Sequence, residues 1–306
     1  LIFQMGCLCS KETIHINGTK YAVLERLDQG GFSLIDLVEN SITKKKYALK
    51  RIICHGVEDE AIAMKEIEVC NQIKHENVIQ IIEYMKEGAY NISHMYIILP
   101  YFKNGSLQRY LNTCAKTNDY MTETQILNIF VGICEGVKAF HGAKPPLAHR
   151  DLKTANICLT DSMHPVIIDL GSTTEARVKI QGQQDVQKLQ DLANERCSIV
   201  YRPPELFSVQ TLIHIDERTD IWSLGCVLYA MLYFSSPFDT VYERGDSVAL
   251  AVLSGSNIIF PENTKYSQGL HNLILLMMRS NIMERPYIYN IIEKTNELIT
   301  EIHNQI

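Results

Sequence analysis

Several things are missing from this chain of 306 residues, and each absence closes a class of function. No apolar run approaches the ~18 residues that cross a bilayer, and the longest candidate, Leu224 to Phe234, reads as a buried helix instead. The first residues lack a charged region followed by an apolar stretch, so a secretory leader is not indicated. There is no basic excess: the net charge is −6, which argues against a nucleic-acid binder, whose footprint is usually basic. No internal repeat or low-complexity block occurs. The nine cysteines form no compact framework, and their odd number suits a reducing compartment, where most read as small buried hydrophobes. Cys7 and Cys9 have no second ligand pair beside them to complete a zinc site. In such a compartment the sequons at Asn17 and Asn91 are chance matches.

What is present is a globular composition, 46% hydrophobic and 21% charged, with length for one large or two moderate domains. Lys20 to Arg51 alternates short apolar runs with turn residues and predicts three strands. Ile62 to Lys74 has helical spacing, with Ile67, Cys70 and Ile73 on one face, and His94 to Pro100 returns to strand character. From Ser106 onward the pattern is mostly helical. Thr122 to His141 predicts one long helix, with Thr122 as N-cap and Gln125 closing a capping box. Further helices are expected over Trp222 to Tyr233, Ser247 to Ser254, Gly269 to Arg279 and Tyr287 to Glu301, and a short strand over Val166 to Leu170. The whole predicts an α+β chain: a small β-rich lobe and then a larger helical one.

Three separated strings carry the chemistry. They are His149-Arg150-Asp151-Leu152-Lys153-Thr154-Ala155-Asn156, Asp169-Leu170-Gly171, and Tyr47-Ala48-Leu49-Lys50. They supply a carboxylate to orient a hydroxyl, two oxygen ligands suited to magnesium, and a lysine for phosphate oxygens. In this order and at these intervals the chain resembles a eukaryotic protein kinase over roughly residues 21–302. The resemblance implies a bilobal fold with an N-lobe at about 21–99, a hinge at 100–104 and a C-lobe at about 105–302. Residues 1–20 would form an N-terminal segment and 303–306 a tail.

Site roles follow from that resemblance. Leu27-Asp28-Gln29-Gly30-Gly31-Phe32-Ser33-Leu34-Ile35 stands where a kinase places its glycine-rich loop, with Asp28 and Ser33 at positions usually held by glycine. Asp28 is expected to weaken ATP affinity, and a pseudokinase scaffold is the alternative reading it supports. A small-molecule kinase is disfavoured by the peptide-docking character of the segment ending at Glu205. Lys50 would grip the α- and β-phosphates, oriented by Glu66. Glu68 competes for that place, but sits about 200° further round the helix. Leu99 would be the gatekeeper, with the Pro100 carbonyl and the Phe102 N–H meeting the adenine. Asp151 would align the attacking hydroxyl and Lys153 neutralise charge on the transferred group, while Asn156 and Asp169 hold Mg2+. Lysine followed by Thr154 is the serine/threonine pattern. His149 is expected to fix the loop, and Arg150 to hold an anion or donate structurally. Ser198 would contact Asp151, and Glu205 would pair with Arg285. Asp220 to Gly225 resembles the buried helix that supports the catalytic loop. Val186, Leu189, Leu192 and Ala193 predict a helix within Asp185 to Arg196, holding the activation segment open without phosphorylation; the alternative is a partly helical loop that blocks substrate.

Met5-Gly6-Cys7-Leu8-Cys9-Ser10 fits N-myristoylation at Gly6 if translation starts at Met5, with Leu1 to Gln4 then lying upstream of the start. A single myristoyl chain binds membrane only marginally, with K of about 10⁴ M⁻¹. Lys11 and Lys20 are too few for a basic patch, so acylation of Cys7 or Cys9 is the expected second signal. This pattern, the Gly-Gly-Phe-Ser loop, Glu205-Leu206-Phe207-Ser208-Val209-Gln210 and Asp216-Glu217-Arg218-Thr219-Asp220 together resemble the acylated branch of the Numb-associated kinase family. The resemblance implies ATP and protein substrates as partners, attachment to the cytoplasmic face of Golgi or vesicle membranes, and no nucleic acid.

Overall fold

The computed structural model describes residues 12–29, 33–89, 92–255 and 258–305. Gly6, Cys7, Cys9, Gly30, Gly31 and Phe32, singled out above, lie outside the described residues. The polypeptide separates into two compact units. One holds the described residues up to Gln72 together with those of Ile79–Tyr101, and the other holds Ile73–Val78 and the described residues from Phe102 onward.

The first unit is a six-stranded antiparallel sheet with one helix. Its elements are β1 (Thr13–Ile16), β2 (Thr19–Gln29), β3 (Ser33–Asn40), β4 (Lys46–Cys54), α1 (Val57–Gln72), β5 (Glu83–Ala89) and β6 (Ile92–Pro100), with strand order β1-β2-β3-β4-β6-β5. Strand alternation sends Tyr47 and Leu49 of β4 to one face, where they pack with Ile16, Tyr21, Val38 and Ile98. Cys54 goes to the other face with Ala63 and Ile67 of α1, and with Met95 and Ile97. Helix α1 begins five residues before the periodic stretch expected from the sequence. Its first turn is Val57-Glu58-Asp59-Glu60, whose carboxylates suit a helix N-terminus, and Asp59 accepts the His55 N–H at 2.8 Å. The helix ends at Gln72, short of the expected Ile73 and Lys74, and Ile73 falls in the second unit.

The second unit is mainly helical. After α2 (Leu107–Thr117) comes α3 (Glu123–His141), whose capping box uses Thr122 and Gln125 as expected. Short strands follow: β7 (Leu147–Ala148), β8 (Ile157–Leu159), β9 (Pro165–Ile167), β10 (Thr174–Glu175) and β11 (Val178–Ile180). The remaining elements are α4 (Gln183–Arg196), α5 (Pro204–Phe207), β12 (Ile213–Ile215), α6 (Arg218–Tyr233), α7 (Asp239–Glu243), α8 (Val248–Leu253), α9 (Gln268–Met277) and α10 (Ile288–Gln305). The core runs through α3, α6 and α9, where Phe130, Val137, Phe140, Leu224, Leu228 and Ile274 are fully buried. Helix α6 starts four residues before Trp222 and includes Asp220, which matters for the site.

The segment around Asn77 is bolted to this unit. Asn77 Nδ2 donates to the Pro165 carbonyl at 2.7 Å, and the Ile167 N–H donates to the Asn77 carbonyl at 2.8 Å. Gly136 on α3 permits the approach, since a Cβ there would stand 2.9 Å from that same carbonyl oxygen.

Candidate active site

Asp220 lies in the first turn of α6 and is 1% exposed. A carboxylate so deep requires donors, and it has three. The Arg150 N–H reaches Oδ1 at 2.9 Å, the His149 N–H reaches Oδ2 at 2.7 Å, and His141 Nε2 lies 3.1 Å from Oδ2. Burial alone would raise the Asp220 pKa. The His141 hydrogen bond, the charges of His141 and His149 and the Arg150 N–H outweigh it, and hold the group below the ordinary carboxylate value. The backbone pays locally, because Arg150 sits at φ +67°, a region that L-residues rarely occupy. His149 is fully buried, edge-on to Phe140 at 5.6 Å, and its Nδ1 accepts the Asp151 N–H at 3.3 Å.

That bend delivers Asp151 to a cluster of donors. Its Oδ1 accepts the Ser198 N–H at 2.8 Å, and its Oδ2 lies 3.0 Å from Asn156 Nδ2 and 2.9 Å from Lys153 Nζ. Lys153 Nζ also donates to the Ser198 hydroxyl at 2.7 Å. Ser198 therefore meets Asp151 through its main chain, and the hydroxyl serves the lysine. Asn156 Nδ2 donates to the Asp151 carbonyl as well, at 3.0 Å, which leaves the side-chain oxygen of Asn156 as the atom able to act as a ligand. The expected strand over Val166 to Leu170 stops at Ile167. Asp169 takes φ +62°, ψ +78°, which strand geometry forbids, and the turn leaves it solvent-exposed. An amide oxygen and a carboxylate are the hard donors magnesium prefers. Among the described residues no group of three or more His, Cys, Asp or Glu is placed to hold a metal by itself, so further ligands must come from phosphate or water.

In the first unit, Lys50 Nζ lies 2.7 Å from both carboxylate oxygens of Glu66, each side chain being only 13–14% exposed. Glu68 is exposed. Asp28 is the last residue but one of β2, and its carboxylate accepts the N–H of Gln29 at 2.8 Å. Leu27, at 38%, is exposed, while Ser33, Leu34 and Ile35 open β3 and are half-buried. Leu99 pairs with Ala48 and Pro100 with Tyr47 at the end of β6. The chain passes from the first unit to the second between Tyr101 and Phe102.

The segment from Asp169 to Glu205 has its own core. Ile180, Val186, Leu189, Ala193 and Cys197 cluster with Leu206, Ile215 and Ile282, and β11 pairs with β12. Helix α4 starts two residues earlier than the spacing indicates, because Asp185 accepts the N–H groups of Gln181 and Gly182 at 3.0 and 3.3 Å. Leu192, expected on the buried face, is only half-buried. Arg150 lies beneath α4 in a small cavity with Leu189, Ala193 and Cys197. One guanidinium nitrogen donates to the Ala176 carbonyl at 3.3 Å, while Nε and Nη1 have no hydrogen-bond partner among the described residues. Burial pushes the Cys197 thiol up to about 11, so it stays protonated beside Ser198.

The far end of the segment is pinned by Glu205, which takes both Nη atoms of Arg285 at 2.7 Å. Carbonyls of Arg279, Ser280 and Arg218 accept the remaining Arg285 N–H groups, so all five donors are used at 0% side-chain exposure. Sequence reading identified Glu205 and Arg285. The Asp220 to Gly225 string is expected to mark a buried helix supporting this loop, and the structure adds that Asp220 itself does so, by accepting the His149 and Arg150 N–H groups.

Asp220 sets a pH dependence. Its lowered folded-state value means that the unfolded chain takes up the proton first. The stabilisation is therefore complete above the unfolded carboxylate value of about 3.9, and drains away as pH falls through the lower folded value. Asp220→Asn should cost roughly 1–3 kcal/mol in denaturant unfolding at neutral pH, and the gap to wild type should narrow below about pH 4. A gap constant across that range would contradict this assignment.

Residues 21–295 match the protein kinase domain. Serine/threonine-protein kinase 16 of Rattus norvegicus and that of Homo sapiens are each 42% identical over 282 residues, covering 92% of this chain and 91% of theirs. A probable serine/threonine-protein kinase of Dictyostelium discoideum is 32% identical over 96% of this chain and 98% of its own length. With the domain matched over most of its length, this chain belongs to the protein kinase family and is a serine/threonine protein kinase.

Proposed function

We propose that the chain transfers the γ-phosphate of Mg-ATP to protein serine and threonine hydroxyls, its own included, with Asp151 as the residue that aligns the hydroxyl. The observation carrying this is the convergence of Ser198, Asn156 and Lys153 on one carboxylate. The hydroxyl oxygen forms a bond to phosphorus, the bond to the ADP oxygen breaks, and the hydroxyl proton passes to Asp151. Lys153 offsets negative charge on the group in transit. Asn156 and Asp169 would hold magnesium, which would neutralise phosphate charge. Lys50, kept in place by Glu66, holds the α- and β-phosphates. The stretch Leu27 to Ile35 covers the nucleotide, and Leu99, Pro100 and Phe102 take the adenine. The buried cluster under α4 supports a segment that needs no phosphate to stay ordered.

Phosphatase-treated protein should therefore phosphorylate a serine/threonine peptide library at the rate of untreated protein. Asp151→Ala should lose roughly 10²–10⁴-fold. An unchanged rate in that variant would remove Asp151 from the mechanism, and a large loss on dephosphorylation would overturn the pre-ordered segment.

We further propose that the chain belongs to the Numb-associated branch and is held to Golgi or vesicle membranes by a myristoyl group on Gly6 and thioester acylation at Cys7 or Cys9. The support is the sequence pattern itself, and among the described residues no helix is long and apolar enough to cross a membrane. In chains started at Met5, labelled myristate should enter wild type and not Gly6→Ala. Equal incorporation would defeat this proposal.

A further inference from the structure

The hairpin joining β3 to β4 ends in a tip whose composition its geometry does not require. Asn40 organises the turn: its Oδ1 accepts the N–H groups of Ile42 and Thr43 at 3.0 and 2.9 Å, and its carbonyl accepts the Lys44 N–H at 2.9 Å. The Asn40 N–H donates to the Lys45 carbonyl at 3.0 Å, and Lys44 takes the left-handed φ of +59° that closes such turns. None of these bonds uses the side chain of Ile42, which stands 86% exposed. A serine there would satisfy the turn equally well, so folding does not explain the isoleucine.

Around that apolar point lie amines. Lys44 has a side chain 70% exposed, and Lys45 and Lys46 are also exposed. Lys20 is an exposed fourth, brought alongside because its carbonyl accepts the Ser41 N–H at 2.9 Å. Partial counter-interactions exist: Glu39 lies 3.4 Å from Lys44 Nζ, and Lys45 Nζ lies 5.5 Å from the centroid of the Tyr47 ring. Both are solvent-facing and weak enough to be exchanged for stronger anions.

We propose that this tip contacts an anionic lipid surface, with Ile42 entering the headgroup region and Lys20, Lys44, Lys45 and Lys46 lying against lipid phosphates and carboxylates. The shape decides for a bilayer over an acidic protein. The apolar group protrudes and the cations flank it, an arrangement that suits a plane with an apolar interior. An acidic peptide would call for a concavity lined by cations. The net charge of −6 adds direction: an anionic membrane repels the molecule as a whole and attracts this tip, so contact selects one orientation. The hydrogen-bonded turn is already ordered, so binding carries little conformational cost. Along the chain, Lys11 and Lys20 are the only cations within the first 20 residues. Folding assembles a basic collar from residues some 25 positions away, which would be a second membrane signal for a singly acylated chain. The inference does not rest on acylation, and its test avoids it.

Full-length protein made without acylation is sedimented with phosphatidylcholine vesicles, with and without about 30% phosphatidylserine. Wild type should bind the anionic vesicles, more weakly as salt rises, and leave pure phosphatidylcholine unbound. Each lysine is worth about fivefold, the equivalent of ~1 kcal/mol, so Lys44→Ser/Lys45→Ser/Lys46→Ser should lose roughly a hundredfold. Ile42→Ser should lose roughly threefold or more on the same vesicles. Both variants should keep the wild-type unfolding midpoint and peptide-phosphorylation rate. No binding by wild type, equal binding by the variants, or retention on immobilised polyglutamate without retention on vesicles would each overturn the proposal.

Discussion

One buried carboxylate sets the geometry of the loop from His149 to Asn156. Asp220 belongs to α6, the central helix of the second unit, and is fixed by that helix before it meets the loop. By accepting the N–H groups of His149 and Arg150 it forces the chain into a left-handed bend. Left alone, an arginine would avoid that conformation, and the strain of order 1–3 kcal/mol persists because charge-assisted hydrogen bonds over-determine it. Directly after the bend comes Asp151, whose carboxylate is then reached by Ser198, Asn156 and Lys153. The strain and the site are therefore one construction, and Asp220 transmits the rigidity of the helical core to the loop.

The activation segment obeys a different logic. The residues from Asp169 to Glu205 are packed by apolar burial. Val186, Leu189 and Ala193 are spaced for one helical face and bury against Leu206, Ile215 and Ile282. The buried guanidinium of Arg150 lies beneath that helix. Glu205 and Arg285 close the far end with a pair that would cost about 3–5 kcal/mol to break from one side, because the survivor would be a buried, uncompensated charge. The Cys197 thiol next to Ser198 is kept protonated by burial and behaves as part of the apolar cluster.

Features with local causes were readable in the sequence. The Thr122–Gln125 capping box is a four-residue matter and appears where expected. Glu66 was preferred to Glu68 by helical phase, and it is Glu66 that meets Lys50. Features with distant causes were less legible. The strands β1 and β5 lie at or near the ends of the strand order and carry little periodicity of their own. The start of α1 is acidic, with no apolar repeat to mark it. The strand before Asp169 stops short because that residue needs a backbone conformation its neighbours' β-branched side chains do not reveal. Ser198 could be placed beside Asp151 from its position, but only coordinates show that its N–H makes the contact. The cationic tip around Ile42 needed two turns brought together by the sheet, since Lys20 is remote from Lys44 along the chain.

The direct test of Asp220 as the organising group is amide hydrogen exchange at His149 and Arg150 in wild type and Asp220→Ala. These two N–H groups should lose protection in the variant far beyond any change at the amides of α2, which make no use of that carboxylate. Equal protection at both positions in the two proteins would show that the loop keeps its shape without Asp220, and would contradict the account.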